Sequence, residues 1–253
     1  TKCDYSYEEG KPVTDKLKYK SNGDGTCVIT GLKDTTVKHL MLPTKSPDGD
    51  TVVSVDHEAF KSNKTIETLV IPDTVTSIGY SAFQGCSNLK SITFPQSNKT
   101  PIRFNYQTFG FIGVVDIDLS KTLIEEISNN AFCGCKSLKT VKLGDVTKIN
   151  NFAFQECVVL ESVIHNGKLT SIGERAFEDC TSLASVTIGN SVTSIGNYAF
   201  YNCKRLASVK IPESVTTIGE SVFGYCVSFE SVTIPDSVTS IADSAFYHCI
   251  KLA

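Results

Sequence analysis

Cysteine is the residue type in this sequence with the widest range of possible chemistry, and the 253 residues contain ten of them. Seven recur at one offset, three residues after a phenylalanine: Cys86, Cys135, Cys157, Cys180, Cys203, Cys226 and Cys249. A zinc site needs four ligands that converge on one point, whereas one cysteine in each repeat forms a line. We therefore interpret these seven, called the cysteine ladder below, as structural thiols that behave as small buried hydrophobic residues.

Disulfide bonds are the second chemistry that these cysteines could support. Stacked repeats would bring neighbouring ladder Cα atoms to ~5 Å, a permitted distance, but their Cβ vectors would run parallel and would not converge. The ladder thiols are therefore predicted to be reduced. Cys3 and Cys27 lie outside the ladder, in an N-terminal segment that a cross-link would hold together, and form one candidate disulfide pair.

The other residues with catalytic or metal-binding chemistry are scattered along the chain. A cysteine–histidine nucleophile needs a base that a third group orients, and the four histidines fall in different repeats: His39, His57, His165 and His248. Asp48, Asp50 and Asp56 lack the spacing of an EF-hand loop. The sequence has no P-loop and no G-x-G-x-x-G, H-E-x-x-H or G-x-S-x-G motif. We predict no enzyme activity, no catalytic residue, no metal site and no cofactor.

Composition excludes several partners. Lysine and arginine number 24 against 27 acidic residues, a net charge of −3, so no polybasic surface for nucleic acid is expected. No apolar stretch approaches the ~18 residues of a membrane span. The hydrophobic fraction of 41% is that of an ordinary folded protein.

An internal repeat positions the cysteines, and phenylalanine marks its period. The intervals between nine successive repeat phenylalanines are 23, 26, 23, 22, 23, 23, 23 and 23 residues. The positions are Phe60, Phe83, Phe109, Phe132, Phe154, Phe177, Phe200, Phe223 and Phe246. A unit of this size cannot bury its apolar residues alone, so successive units must stack into an elongated solenoid with one continuous core.

Each unit has the pattern of two short strands joined by turns. The first strand has alternating apolar residues, such as Val186 and Ile188, and a glycine or proline ends it. The second ends at a column that is often glycine, where a positive φ is predicted: Gly79, Gly173, Gly196 and Gly219. The segment around each phenylalanine is predicted to be a short helical turn.

The N-terminal residues do not fit the repeat. Around the turn at 22–25, the sequence predicts a β-hairpin, so we divide the chain into a cap at 1–36 and a repeat array at 37–253. A hairpin cap would cover the hydrophobic edge of the first unit. Residues 249–253 begin another unit without completing it, and we expect the natural protein to continue.

The repeated unit C-x-x-L-x-S-V-x-I-P-x-S-V-T-S-I-G-x-x-A-F-x-x-C resembles the BspA-like leucine-rich repeat family over residues 37–253. The N-terminal hairpin is similar to that family's usual cap. The resemblance implies a curved, right-handed leucine-rich repeat solenoid whose parallel sheet lines the concave side. It also implies a secreted or cell-surface location, a role in adhesion to host matrix proteins or other cells, and no catalytic residues.

The candidate binding face consists of the outward positions of the first strands, which flank the central apolar residue. Its members are mostly hydroxyl residues with scattered lysines: Thr68, Val70, Ser91, Thr93, Thr140, Lys142, Ser162, Ile164, Ser185, Thr187, Ser208, Lys210, Ser231 and Thr233. Serine and threonine also suit any half-exposed strand surface, so the pattern fits both a protein- or glycan-binding surface and water-compatible filler.

Two functions of different classes follow. The first is a non-enzymatic extracellular recognition module that binds a host protein, another cell or a glycan through the concave face and the loop insertions at 44–51 and 96–108. The second is a structural spacer whose repeats hold another domain away from the cell.

The thiol assignment can be tested by alkylation without reductant followed by mass spectrometry of the denatured chain. Because ladder thiols are predicted to be reduced and only Cys3 and Cys27 to pair, we expect one disulfide or none. Four or more would contradict the assignment.

Overall fold

The computed structural model describes residues 12–253. It begins with a single 3-10 turn, Thr14–Lys16, which leads into the hairpin of β1 (Leu17–Ser21) and β2 (Thr26–Leu32). Leu17, Cys27 and Ile29 of this hairpin are buried. β2 then pairs in parallel with the first coil, so the hairpin joins the end of the stack edge to edge.

Beyond the hairpin, two ladders of short parallel strands run along a solenoid of about 9 turns of roughly 23 residues. The first-strand ladder consists of β3 (His39–Met41), β5 (Thr68–Val70), β7 (Ser91–Thr93), β9 (Asp116–Asp118), β11 (Thr140–Lys142), β13 (Ser162–Ile164), β16 (Ser208–Lys210) and β18 (Ser231–Thr233). The second-strand ladder consists of β4 (Thr51–Val55), β6 (Ser77–Ile78), β8 (Arg103–Phe104), β10 (Glu126–Ile127), β12 (Lys148–Ile149), β14 (Ser171–Ile172), β15 (Ser194–Ile195), β17 (Thr217–Ile218) and β19 (Ser240–Ile241).

Neither ladder is one unbroken sheet. The first-strand ladder divides into the sheets β3-β5-β7, β9-β11-β13 and β16-β18. The second-strand ladder divides into β4-β6-β8, which the hairpin strands β1 and β2 extend in one sheet, β10-β12-β14-β15 and β17-β19. The core is nevertheless continuous, because one cluster of buried hydrophobic residues extends from Leu17 to Cys249.

A column of phenylalanine rings forms the centre of that core. Rings of neighbouring coils are stacked with centroids 4.9 to 5.7 Å apart and interplanar angles of at most 15° from Phe60 to Phe246. Such spacing is in the range of favourable aromatic pairs. The predicted solenoid with stacked repeats is therefore confirmed.

The segments around these phenylalanines are tight turns, not the helical turns that the sequence predicts. Ala199 N–H donates to the Gly196 carbonyl and Cys203 N–H to the Phe200 carbonyl, at 3.2 Å in both cases. Left-handed residues, Tyr198 and Asn202 with φ of 59°, interrupt each short run. A left-handed residue other than glycine costs about 1–2 kcal/mol. Here it turns the N–H toward the next coil, where Tyr198 donates to the Glu220 carbonyl at 2.9 Å.

The glycines that follow the second strands do not have the positive φ that the sequence predicts, so another constraint must explain them. Left-handed backbone occurs at Ser81 and Arg175, two residues after Gly79 and Gly173, and not at the glycines themselves. A Cβ at Gly173 would lie 2.6 Å from the backbone carbon of Asn150. These glycines therefore allow a close approach between the backbones of adjacent coils.

We predict that Gly173→Ala lowers the free energy of unfolding by about 1–3 kcal/mol, since overpacking against rigid backbone costs that much. Urea denaturation followed by circular dichroism measures it. The control is Ala242→Gly, because Ala242 occupies the same column and already carries a Cβ. The control should cost no more than about 1 kcal/mol, and equal losses in both variants would contradict the close-approach explanation.

Candidate binding face and cysteine ladder

The candidate binding face is assembled by parallel pairing of equivalent residues. Thr68 is opposite Ser91 and Val70 is opposite Thr93. The same register aligns Thr140 with Ser162 and Lys142 with Ile164, and Ser208 with Ser231 and Lys210 with Thr233. The central residues Leu69 and Val141 are buried. Because side chains alternate along a strand, the flanking members project together from the opposite side.

Ser185 and Thr187 are exposed but lie outside any regular strand, so the structure does not include them in the ladder. The His165 ring of the preceding coil provides the local reason. Its Nε2 lies 2.8 Å from the Thr187 carbonyl, while its Nδ1 accepts a hydrogen bond from Gly167 N–H at 3.0 Å. These partners fix the tautomer with the proton on Nε2. The Thr187 carbonyl therefore accepts a hydrogen bond from a side chain. At the equivalent position of another coil, the Thr93 carbonyl accepts from the backbone N–H of Ile71.

Asp116 and Asp118 also belong to this face, although sequence reasoning missed them. They pair with Thr140 and Lys142, and the Asp118 carboxylate lies 3.2 Å from the Lys142 ammonium. Hydrogen bonds from Ser120, and then the Lys142 ammonium, lower the pKa of Asp118. The alternation of Ile117 and Leu119 was the signal that could have revealed this strand, but its coil has Ile112 in place of the ladder cysteine and aspartates in place of the usual hydroxyl residues.

The cysteine ladder forms one repeated hydrogen bond. All seven thiols are buried, and each Sγ lies 3.0 to 3.3 Å from the carbonyl oxygen of the repeat phenylalanine in the preceding coil. A thiol is a weak donor, so each bond contributes little alone. Seven bonds of one geometry nevertheless satisfy seven buried carbonyls along the stack.

Burial also suppresses the chemistry of these thiols. It raises the pKa of Cys86 and of Cys226 to about 12, and raises that of Cys180 and Cys203 as well. The thiolate is the nucleophilic and metal-binding form. Across residues 12–253, no group of three or more cysteine, histidine or acidic side chains is arranged to hold a metal ion.

Cys133 and Cys27 lie outside the ladder. Cys133 is buried, and burial raises its pKa to about 11. Cys27 lies in β2, with its Sγ 3.8 Å from the Asp50 carbonyl. Its candidate partner, Cys3, is outside the described residues, so the Cys3–Cys27 pair stays a prediction.

His39 and His57 lie in one coil, contrary to the expectation of four separate repeats, but His39 is in β3 and His57 in the turn after β4, and each histidine has its own local partner. His39 Nδ1 lies 2.9 Å from the Thr68 hydroxyl, His57 Nδ1 accepts from Tyr80 N–H at 3.0 Å, and the His248 ring lies 4.9 Å from that of Tyr225. No helix in the described range 12–253 has the length and hydrophobicity to cross a membrane.

Short parallel strands, tight turns and buried leucine, isoleucine and phenylalanine columns together define a leucine-rich repeat protein. The profile described as BspA type Leucine rich repeat region matches six copies at residues 53–145 and 125–253. The chain therefore belongs to the BspA-type leucine-rich repeat family, which confirms the resemblance in the sequence. Leucine-rich repeat proteins are generally non-enzymatic scaffolds that bind proteins.

Solved structures with similar architecture come from several bacteria. A leucine-rich repeat protein of T. pallidum is 25% identical, with a TM-score of 0.49, and the match covers 96% of this chain and 90% of that one. A leucine-rich cell surface protein of Faecalibacterium prausnitzii is also 25% identical, with a TM-score of 0.42 and coverage of 94% and 86%. The pneumococcal vaccine antigen PcpA is 12% identical, with a TM-score of 0.41 and coverage of 91% and 93%. No curated protein matches the chain.

We predict that in Cys226→Ser the free energy of unfolding falls less steeply with rising pH, in the alkaline range, than it does in the wild type. The thiol stays neutral in the fold up to a pKa of about 12 but ionises near 9 when unfolded, so its contribution is present below pH 9 and falls as pH rises toward 12. One such group removes up to about 1.4 kcal/mol per pH unit. Urea titrations between pH 8 and 11 measure the slope, and Ser208→Ala is the control. Equal slopes in wild type and Cys226→Ser would contradict this prediction.

Proposed function

We propose that the chain is a non-enzymatic recognition and adhesion module that acts outside the cell or at its surface. In this proposal, it binds a host protein, another cell surface or a glycan through the candidate binding face and the adjoining loop insertions. The observation that carries the proposal is the register of the first strands, which holds equivalent outward side chains in columns over a buried core.

The side chains on this face suit a partner of mixed character. Ile164 is 55% exposed beside Lys142, and Lys210 lies on another sheet of the same ladder. An apolar contact with hydroxyls and charges around it is the usual composition of a recognition surface. A rigid core also keeps these side chains in place before binding, which reduces the entropic cost of association.

The spacer function is the second candidate, and pairing within the face favours it. Asp116 accepts a hydrogen bond from the Thr140 hydroxyl, and Asp118 pairs with Lys142. Side chains that satisfy one another need no external partner. If the repeats only provide length, changes to exposed residues of the face should leave adhesion unaltered.

The two functions can be separated by Lys210→Glu. Lys210 is exposed at the end of β16 and has no ion pair among the described residues, so the change should cost little stability. The recognition function predicts that binding to immobilised extracellular-matrix proteins and to epithelial cells falls by about tenfold, as expected for a lost interfacial charge contact.

The matched control is Lys204→Glu, which makes the same charge change on an exposed turn of the same coil. It should bind like the wild type. Ile164→Asn provides a second probe of the face without a change of charge. Binding by the wild type that survives both Lys210→Glu and Ile164→Asn would contradict the proposed face and favour the spacer.

A further inference from the structure

A cleft opens on the other ladder, where the second-strand sheet is interrupted. β8 ends one sheet and β10 begins the next. Two cavities of about 270 and 250 Å³ lie at this break, a third of about 290 Å³ lies between β6 and β8, and Arg103 lines all three. The interval from Phe83 to Phe109, at 26 residues, is the longest in the array. The added residues lie in the loop before β8, beside this break.

The loop beside the cleft is held in place by side-chain hydrogen bonds. Asn98 is 7% exposed, and its amide donates to the Leu123 carbonyl at 2.8 Å and accepts from Leu123 N–H at 2.9 Å. The Thr122 hydroxyl donates to the Pro95 carbonyl at 2.8 Å. The cleft is therefore preorganised, which lowers the cost of ordering it on binding.

An exposed aromatic stack ends at the cleft. The rings of Tyr80 and Tyr106 are stacked 5.3 Å apart at an angle of 9° and are 41% and 43% exposed. The next coil has Asn129 at the equivalent position, and one cavity is bordered by both Tyr106 and Asn129. The column of rings thus stops where the cavity begins, and within the described chain no further ring is stacked on Tyr106.

The polar groups around the cleft can both donate and accept hydrogen bonds. Arg103, Glu125 and Glu126 are exposed, and none forms an ion pair with another described residue. Arginine only donates, and ionised glutamate only accepts. Sugar hydroxyls do both, and the apolar face of a sugar ring can lie against an aromatic ring. The two carboxylates disfavour an anionic ligand through like-charge repulsion.

We propose that this cleft is a binding site for a neutral saccharide, with Tyr106 as the platform and Arg103 and Glu126 as the hydroxyl partners. The cleft shares no residue with the candidate binding face, although Arg103 and Tyr106 belong to the loop insertion at 96–108 that the proposed function also includes. The two proposals are tested by different variants: Lys210→Glu and Ile164→Asn change the face and leave the cleft intact, whereas the cleft variants leave the face intact. Its total size is that of a site for one small ligand and not for a folded domain.

The test uses the complete chain on an array of lactose, N-acetyllactosamine, maltose and cellobiose, together with sialylated and sulfated N-acetyllactosamine. We expect at least one neutral saccharide to bind, and Arg103→Gln and Tyr106→Ala each to weaken that binding by about tenfold or more. Arg205→Gln and Tyr247→Ala are the controls, because both residues are exposed and distant in sequence from the cleft, and both variants should bind like the wild type.

Thermal unfolding checks that the variants remain folded, and Glu126→Gln provides a third cleft variant at an exposed position. The proposal is overturned if none of the neutral saccharides binds, if only the anionic ones bind, or if neutral binding survives in all three cleft variants. A protein that competes for the cleft while no saccharide binds would also overturn it.

Discussion

The turn around the repeat phenylalanine sets the distance and register between coils, and the rest of the solenoid depends on it. The N–H of each phenylalanine donates to the carbonyl of the residue that precedes the next one, at 2.8 to 2.9 Å from Phe60 to Phe223. The strands have only two or three residues in most coils, too few to pair stably alone. The hydrogen bonds of these turns therefore set the alignment of the strands. The left-handed residues at each turn, such as Tyr198 and Asn202, are the conformational cost of this arrangement, and the bonds between coils offset it.

The cysteine ladder completes the same turn. The Phe200 carbonyl accepts from Cys203 N–H within its own turn and from the Cys226 thiol of the next coil, both at 3.2 Å. A carbonyl oxygen has two acceptor sites, so this geometry uses both of them inside the core. A thiol fits because it is small, apolar enough to be buried and still able to donate. This explains why cysteine recurs in the ladder, where burial raises the thiol pKa and suppresses thiolate chemistry.

The sequence predicts the repeat itself, but it misses features that depend on contacts between neighbouring coils. The period and the stacked solenoid follow from the phenylalanine column, which recurs nine times, and the N-terminal hairpin follows from its turn residues at 22–25. The interruption at Ser185 and Thr187 depends on His165 of another coil, which the pattern of a single unit does not contain. The role of the glycine column escaped for the same reason, since the backbone that approaches Gly173 belongs to the coil before it.

The departures from the repeat are also where the surface acquires chemical variety. Regular coils present hydroxyl residues that any half-exposed strand can carry, and this alone identifies no partner. The longest interval between phenylalanines contains the loop before β8 and Arg103, which lines the cavities beside the split between β8 and β10. It also precedes Asp116 and Asp118, the acidic members of the first-strand ladder. A solenoid tolerates such insertions because each coil contacts mainly its neighbours, so specificity can change in one coil while the stack remains intact.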